Sequence, residues 1–245
     1  MTLNGQPASL GQSADPQRDL VCVDGKRLAP EPLEYWVVNK PTGVVTTSSD
    51  PEGRAMIRQL VPGSRVRLFP VGRLDRDTEG LVVLTNDGPL HHALLHPSHE
   101  IEREYAVRAR GRMSDAKVRH LSGGVELEEG RTARARVERV RRAGESTSLH
   151  LTLTEGRKRQ IRRSLAALGH PVLSLRRVRM GPLRLARLPS GAARALTAHE
   201  RATLLRAAGL SASKGKGARS SAGKGAPARG KAGASKRTRN KGLSD

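Results

Sequence analysis

One cysteine, Cys22, in 245 residues leaves neither a disulfide framework nor a cysteine-rich zinc site. Aromatics are nearly as scarce. Tyr35, Trp36, Phe69 and Tyr105 are the whole set, which excludes a platform that stacks successive bases of a single strand. No stretch approaches the roughly 18 uninterrupted apolar residues of a membrane span, and no charged N-terminal region leads into an apolar one. The chain therefore reads as soluble, monomeric and suited to a reducing, cytoplasmic setting. Acidic residues are the last deficit: 23 Asp and Glu stand against 45 Lys and Arg, a formal charge of +22. That excess exceeds what solubility needs and points to a polyanionic partner, with nucleic acid ahead of an anionic membrane surface.

Three segments follow from composition. Residues 211–245 contain Gly, Ala, Ser, Lys and Arg almost exclusively, with ten basic residues and one acidic one. This reads as a disordered basic tail able to add salt-sensitive affinity for phosphates. Its +9 leaves +13 on residues 1–210, so the folded part is itself basic. Residues 1–30 suggest two short strands, near Thr2–Leu3 and Leu20–Val23, each running into an Asn-Gly or Asp-Gly turn. Residues 31–210 alternate strand and helix signals. Strands are expected at "EYWVVNKP", "GVVTT", "RLFPV", "GLVVLT", "EREYAVRARG", "TARARVERV", "SLHLTLTEG" and "PVLSLRRVRMGPLRL". Helices are expected at "AMIRQL", Pro89–Leu95, "SDAKVRHL", "RKRQIRRSLAALG" and after Thr197. This mixed order predicts an α+β fold around a largely antiparallel sheet.

Familiar catalytic signatures are missing. His91, His92, His96 and His99 cluster, yet their spacing matches neither a HExxH helix nor a Cys/His zinc pattern. No local Ser-His-Asp, Cys-His or phosphate-loop pattern is present, and neither metal nor cofactor is expected. Asp75, in "GRLDRDTEGLVVLTNDG", remains as a carboxylate set between Arg73 and Arg76. A carboxylate serves as nucleophile or base without a cofactor when a cation keeps it ionised; an ordinary turn residue is the competing reading. In "RKRQIRRSLAALG", Ile161, Leu165 and Leu168 form a buried stripe flanked by Arg159, Arg162 and Arg163, with Arg162 placed to reach inward. Tyr105 shares one strand face with Ile101, Val107 and Ala109, so it is either a core residue or a ring at the core's edge.

Three segments, "GRLDRDTEGLVVLTNDG", "EREYAVRARG" and "EGRKRQIRRSLAALGHPVLSLRRVRMGPLRL", together resemble the bacterial rRNA pseudouridine synthases that carry an S4 domain. "LEYWVVNKPTGVVTT" is similar to the start of that family's catalytic domain, and the likeness spans about Leu33 to Thr197. Residues 1–30 resemble the C-terminal half of an S4-type RNA-binding domain without its two leading helices. The resemblance implies isomerisation of a flipped-out uridine in ribosomal RNA, with large-subunit rRNA favoured, and no cofactor. It places Asp75 on the catalytic aspartate, Tyr105 on the tyrosine packed against the uracil, and Arg162 on the basic partner of the aspartate. Ile161 would line the pocket, and Arg73, Arg76, Arg159 and Arg163 would contact substrate. Asp77, Glu79 and Asp87 read as loop and turn residues. Ala193 departs from the family, which often carries an aromatic there. The alternative from another class is a non-catalytic rRNA-binding assembly factor, which has no need for a carboxylate amid its cations.

Overall fold

The computed structural model describes residues 1–15, 18–47 and 50–210; the tail expected over 211–245 lies outside the described residues. The N-terminal segment forms a four-stranded antiparallel sheet of β1 (Thr2–Leu3), β2 (Gln6–Pro7), β3 (Val21–Val23) and β4 (Lys26–Arg27), in the order β2-β1-β3-β4. Asn4-Gly5 and Asp24-Gly25 close its two tight turns, all four with positive φ as such hairpins require. Asn4 ties the first turn to the chain entering β3 by donating to Asp19 and accepting from the Leu20 amide. None of the described residues in this sheet is buried, so it has no core of its own.

The rest of the fold is built on a second sheet. In chain order its parts are β5 (Tyr35–Lys40), β6 (Phe69–Val71), β7 (Glu79–Thr85), α1 (Gly88–Leu95), β8 (Arg103–Arg110) and α2 (Asp115–Gly123). Then come β9 (Arg136–Ala143), β10 (Ser146–Leu153), α3 (Gln160–Ala167), β11 (Val172–Met180), β12 (Leu183–Arg184), β13 (Ala193–Ala195) and α4 (Ala198–Ala207). The nine strands run β13-β5-β7-β11-β8-β10-β9, with β6 added to β7 and β12 to β11. Every pairing between the named strands is antiparallel except β7 with β11, so the fold is α+β with a mixed, mostly antiparallel sheet.

Three apolar clusters pack this sheet. One lies between Leu81 and Val83 of β7 and the helices α1 and α4. On the other face, Val38, Val82 and Leu84 pack against the loops around Val44, Ile57 and Leu68. Alongside, α2 and α3 cover β8 and β10 through Leu121, Ile161, Leu165, Val107 and Leu151. β7 supplies both faces, which is why "GLVVLT" is a continuous apolar run rather than an alternating one. Tyr35 and Asp87 secure the start of α1: the Asp87 carboxylate accepts from the Leu90 amide at 3.0 Å and from the Tyr35 hydroxyl at 2.7 Å. Among the described residues no helix is long and apolar enough to cross a membrane.

Several expected elements shift. "GVVTT" is not a strand; only Val45 makes a bridge, to Met56, because Thr46 is committed to the backbone at Leu74. "AMIRQL" tightens into a 3-10 turn over Ile57–Leu60. β9 begins at Arg136, since Thr132 is engaged with Val125 through both backbone and hydroxyl. α3 begins at Gln160 rather than Arg157. Arg159 sits before it at φ 50°, and Arg157 is drawn away to donate to the Gly130 and Arg131 carbonyls.

The join between β7 and β11 is unusually close. A Cβ on Gly80 would lie 2.2 Å from the Arg177 carbonyl oxygen, and Gly80 has φ 108°. Gly80→Ala is therefore expected to lower stability by about 2–4 kcal/mol, read from the denaturant midpoint. Across β8, β10 and β11, Glu104 receives hydrogen bonds from His150 and Arg179. Burial opposes its ionisation, but these partners prevail and hold its pKa at about 2. A depressed carboxylate stabilises the fold above its unfolded-state pKa, so this contribution is lost as pH falls from roughly 4.5 towards 2. Acid titrations of Glu104→Gln should lack that loss, at the cost of lower stability near neutrality.

Candidate active site

A cavity of about 270 Å³ opens where the two lobes on the α2–α3 side of the sheet meet. Its apolar wall is Leu74, Leu153, Ile161 and Leu175, with Tyr105 at the seam between the clusters. Its polar rim includes Arg73, Asp75, Thr78, Arg159 and Arg162. The volume is near the lower end of the roughly 300–1,000 Å³ typical of ligand pockets and suits a single planar ring with its sugar.

Asp75 stands in the connection from β6 to β7, and the backbone on both sides of it is pinned. The Thr46 hydroxyl donates to the Leu74 carbonyl at 3.0 Å and accepts from the Leu74 amide at 3.3 Å. The Arg76 carbonyl accepts from the Gly43 amide at 2.8 Å and from Lys40 Nζ at 3.4 Å. The Thr78 amide closes the turn onto the Asp75 carbonyl at 3.0 Å. The Asp75 side chain, about one third exposed, is thus presented to the cavity by a fixed backbone.

The pairing expected between Arg162 and Asp75 is not what forms. Arg162 donates to the Asp77 carbonyl at 2.7 Å and to the Thr78 hydroxyl at 3.3 Å, and its Nε lies 3.3 Å from the Asp77 carboxylate. The cation next to Asp75 is Arg159, at 3.8 Å, and this residue forks onto Asp77 at 3.1 and 3.2 Å. The reason is register: Arg159 precedes the first turn of α3 in a left-handed conformation, which directs it at the loop, while Arg162 sits one turn deeper and meets the loop at Asp77. Asp77, expected to be a turn residue, is the hub. Burial raises its carboxyl, but the hydrogen bonds and charges of Arg159 and Arg162 hold it below the usual carboxylate range.

The other expected site residues divide. Ile161 lines the cavity and is buried, and Tyr105, half-buried, resolves as a ring at the core's edge. Arg73 lines the cavity and is exposed. Arg76 does not line it; it faces an adjoining hollow with Val45, Thr46 and Arg54, as expected of neighbours in a turn. Arg163 is also absent from the cavity wall, because it is drawn to Glu129. The His96 ring meets His92 at a tilt and His99 edge-on, and among the described residues no three His, Cys, Asp or Glu side chains group as metal ligands.

Lys40 is the residue that sequence reasoning passed over. It ends β5 fully buried, and its ammonium donates to the Pro41 and Arg76 carbonyls beneath the Asp75 loop. Burial brings its pKa down to about 8, against the pull of Asp77, Asp75 and Glu79. The available signal was a lysine closing the strand pattern of "YWVVNKP".

Similarity to known proteins follows this geometry. Residues 34–167 match the family model described as RNA pseudouridylate synthase. A protein described as an uncharacterised RNA pseudouridine synthase in Aquifex aeolicus is 39% identical over 85% of this chain and 84% of its own length. The ribosomal large subunit pseudouridine synthase B of Bacillus subtilis is 38% identical over 74% of this chain and 75% of its own. A crystal structure of a pseudouridylate synthase superposes with a TM-score of 0.64 at 31% identity, covering 83% of this chain and 87% of that one. A pinned aspartate beside a tyrosine-edged cavity, the matched fold and these identities lead to one conclusion: the chain belongs to the RNA pseudouridine synthase family.

Proposed function

We propose that this synthase isomerises uridine in large-subunit ribosomal RNA, with Asp75 as the catalytic group. The observation that supports Asp75 is its place in the cavity: a carboxylate on a pinned loop, opposite a tyrosine ring and an aliphatic wall. The large-subunit substrate is supported by the Bacillus subtilis relative, whose name specifies that subunit. Ribosomal RNA as substrate also favours a cytoplasmic location, and one chain supplies every residue invoked, so the reading needs only a monomer.

In this reaction the N1–C1′ bond of the uridine breaks, the uracil turns over, and C5 bonds to C1′. C5 releases a proton and N1 regains one, so atoms and electrons balance without a redox partner. The nucleotide must first leave its stack, at a cost of a few kcal/mol, which phosphate contacts to the basic surface offset. Tyr105 and the wall of Leu153, Ile161 and Leu175 then hold the ring, and Arg73 and Lys158 on the rim meet the flanking phosphates. An ionised Asp75 serves both available routes, attack on C1′ or removal of the C2′ proton to give a glycal. A base must also take the C5 proton; the Tyr105 hydroxyl or a water fills that role.

Arg159 and Arg162 act on Asp75 through position and field. Two carboxylates two residues apart repel each other through their like charge. With both guanidiniums on Asp77, that charge is neutralised and Asp75 keeps an oxygen free for substrate.

Asp75→Asn should abolish pseudouridine formation in a 23S rRNA transcript while changing the dissociation constant less than about threefold, because an isosteric amide keeps the contacts and loses the nucleophile. Chemical mapping of pseudouridine together with filter binding checks this, and retained turnover would sink the assignment. Asp77→Asn should loosen the Arg159–Arg162 clamp, lowering kcat by about tenfold or more with KM nearly unchanged, since the loop is misplaced rather than the RNA released.

A further inference from the structure

The cavity uses one face of the sheet, and the reverse face of the same strands is arginine-lined. On β8, Tyr105, Val107 and Ala109 point to the α2–α3 side, so Arg108 points away. On β10, Leu149 and Leu151 point inward and Ser148 outward; on β11, Leu175 points inward and Ser174 and Arg176 outward. Together with Arg139 and Arg141 of β9 these outward residues line a groove of about 550 Å³. The helices on this face, α1 and α4, pack beside β7 and leave the groove uncovered.

Its four arginines outnumber the one carboxylate in the lining and none is ion-paired to it. Other arginines on the same strands are paired: on β9, Arg136 with Glu102 and Glu138 and Arg142 with Asp115; on β11, Arg179 with Glu102 and Glu104. Among the described residues Arg108, Arg139, Arg141 and Arg176 have no hydrogen-bonded or ion-paired side-chain partner, and Arg176 Nε is buried without one. Glu79 is the one carboxylate in the lining.

The backbone is arranged to put them there. Ser148 opposes Arg141 and His150 opposes Glu138, so Arg139 and Val140 together stand across from Leu149 alone. This bulge shifts the alternation: Val137 and Val140 both pack inward, and Arg141 emerges on the groove side. The extra residue, Arg139, takes φ 54°, a conformation that glycine adopts without steric cost and arginine does not. The bulge thus holds the Arg139 side chain in the groove at some cost in backbone strain.

We propose that this groove is a second RNA-binding surface, gripping backbone phosphates of a segment distinct from the one that delivers the uridine to the Asp75 cavity. Guanidinium forks match phosphate oxygens, and the Ser148 and Ser174 hydroxyls add donors. The inference rests on the RNA substrate of the proposed function, and the two are tested separately.

The full-length chain and its Arg141→Gln/Arg176→Gln and Arg139→Gly variants are titrated with a 23S rRNA transcript from 50 to 200 mM salt, with circular dichroism to verify folding. The double variant should bind about tenfold or more weakly, with the slope of log K against log salt reduced by about 2, since each phosphate left without its arginine lowers it by about one. Arg139→Gly should also bind more weakly while melting at a higher temperature, an outcome that damage to the fold cannot produce. Hydroxyl-radical footprints should show two protected segments with the wild-type chain and loss of one with the double variant. A folded double variant with unchanged affinity, slope and footprint would overturn the groove. A wild-type chain that binds the transcript but makes no pseudouridine would overturn the substrate assignment and leave the groove standing.

Discussion

The contact on which the site depends is the parallel approach of β11 to β7. At Gly80 the strands are so close that no side chain fits between them, and Arg177 fills the junction by donating its Nε to the Leu81 carbonyl at 2.6 Å. That join brings two separately packed lobes together. One lobe carries the Asp75 loop on β6 and β7; the other carries α3 with its arginines and β8 with Tyr105. The cavity is the gap that remains between them, so its shape is set by backbone packing rather than by the groups lining it. A scaffold of this kind can hold a reacting group to the tolerance that positioning requires.

Charge is divided with equal economy. Arg159 and Arg162 concentrate on Asp77, Lys40 supports the loop from beneath, and Asp75 is left with one distant cation. The division gives a carboxylate that is held in place without being locked into an ion pair. It also explains why five cations near the start of α3 do not act alike. Arg157 fastens the 130–131 loop, Arg163 fastens Glu129, Arg159 and Arg162 hold Asp77, and Lys158 is left to the rim. On the reverse face, Arg108, Arg139, Arg141 and Arg176 line one groove with Glu79 as its one carboxylate, a local excess of positive charge that suits an anion.

Much of this was legible in the sequence. The apolar run of β7, the stripe of Ile161, Leu165 and Leu168, and the Asn-Gly and Asp-Gly turns are local signals, and each became the element expected. Asp75 stands out as a carboxylate set amid basic residues. Less was legible where a residue's partner is remote in sequence. Thr46 leaves a strand pattern to brace Leu74, and Arg157 leaves a helical pattern to reach Gly130. Lys40 looks like the end of a strand because the Asp75 loop it supports, through the Arg76 carbonyl, is 36 residues away.

The sequence by itself determined the α+β pattern, the basic charge and the family resemblance, because each is carried by residue type and short-range spacing. Only the tertiary structure decided which cation meets which acid. Arg159 and Arg162 are chemically identical and close in sequence, and a left-handed backbone at Arg159, just outside α3, lets it fork onto the Asp77 carboxylate with Asp75 at its edge, while Arg162 reaches the Asp77 backbone and Thr78. Pairings between residues so remote in the chain depend on the angle at which a helix enters, and that angle is fixed by the core beneath it.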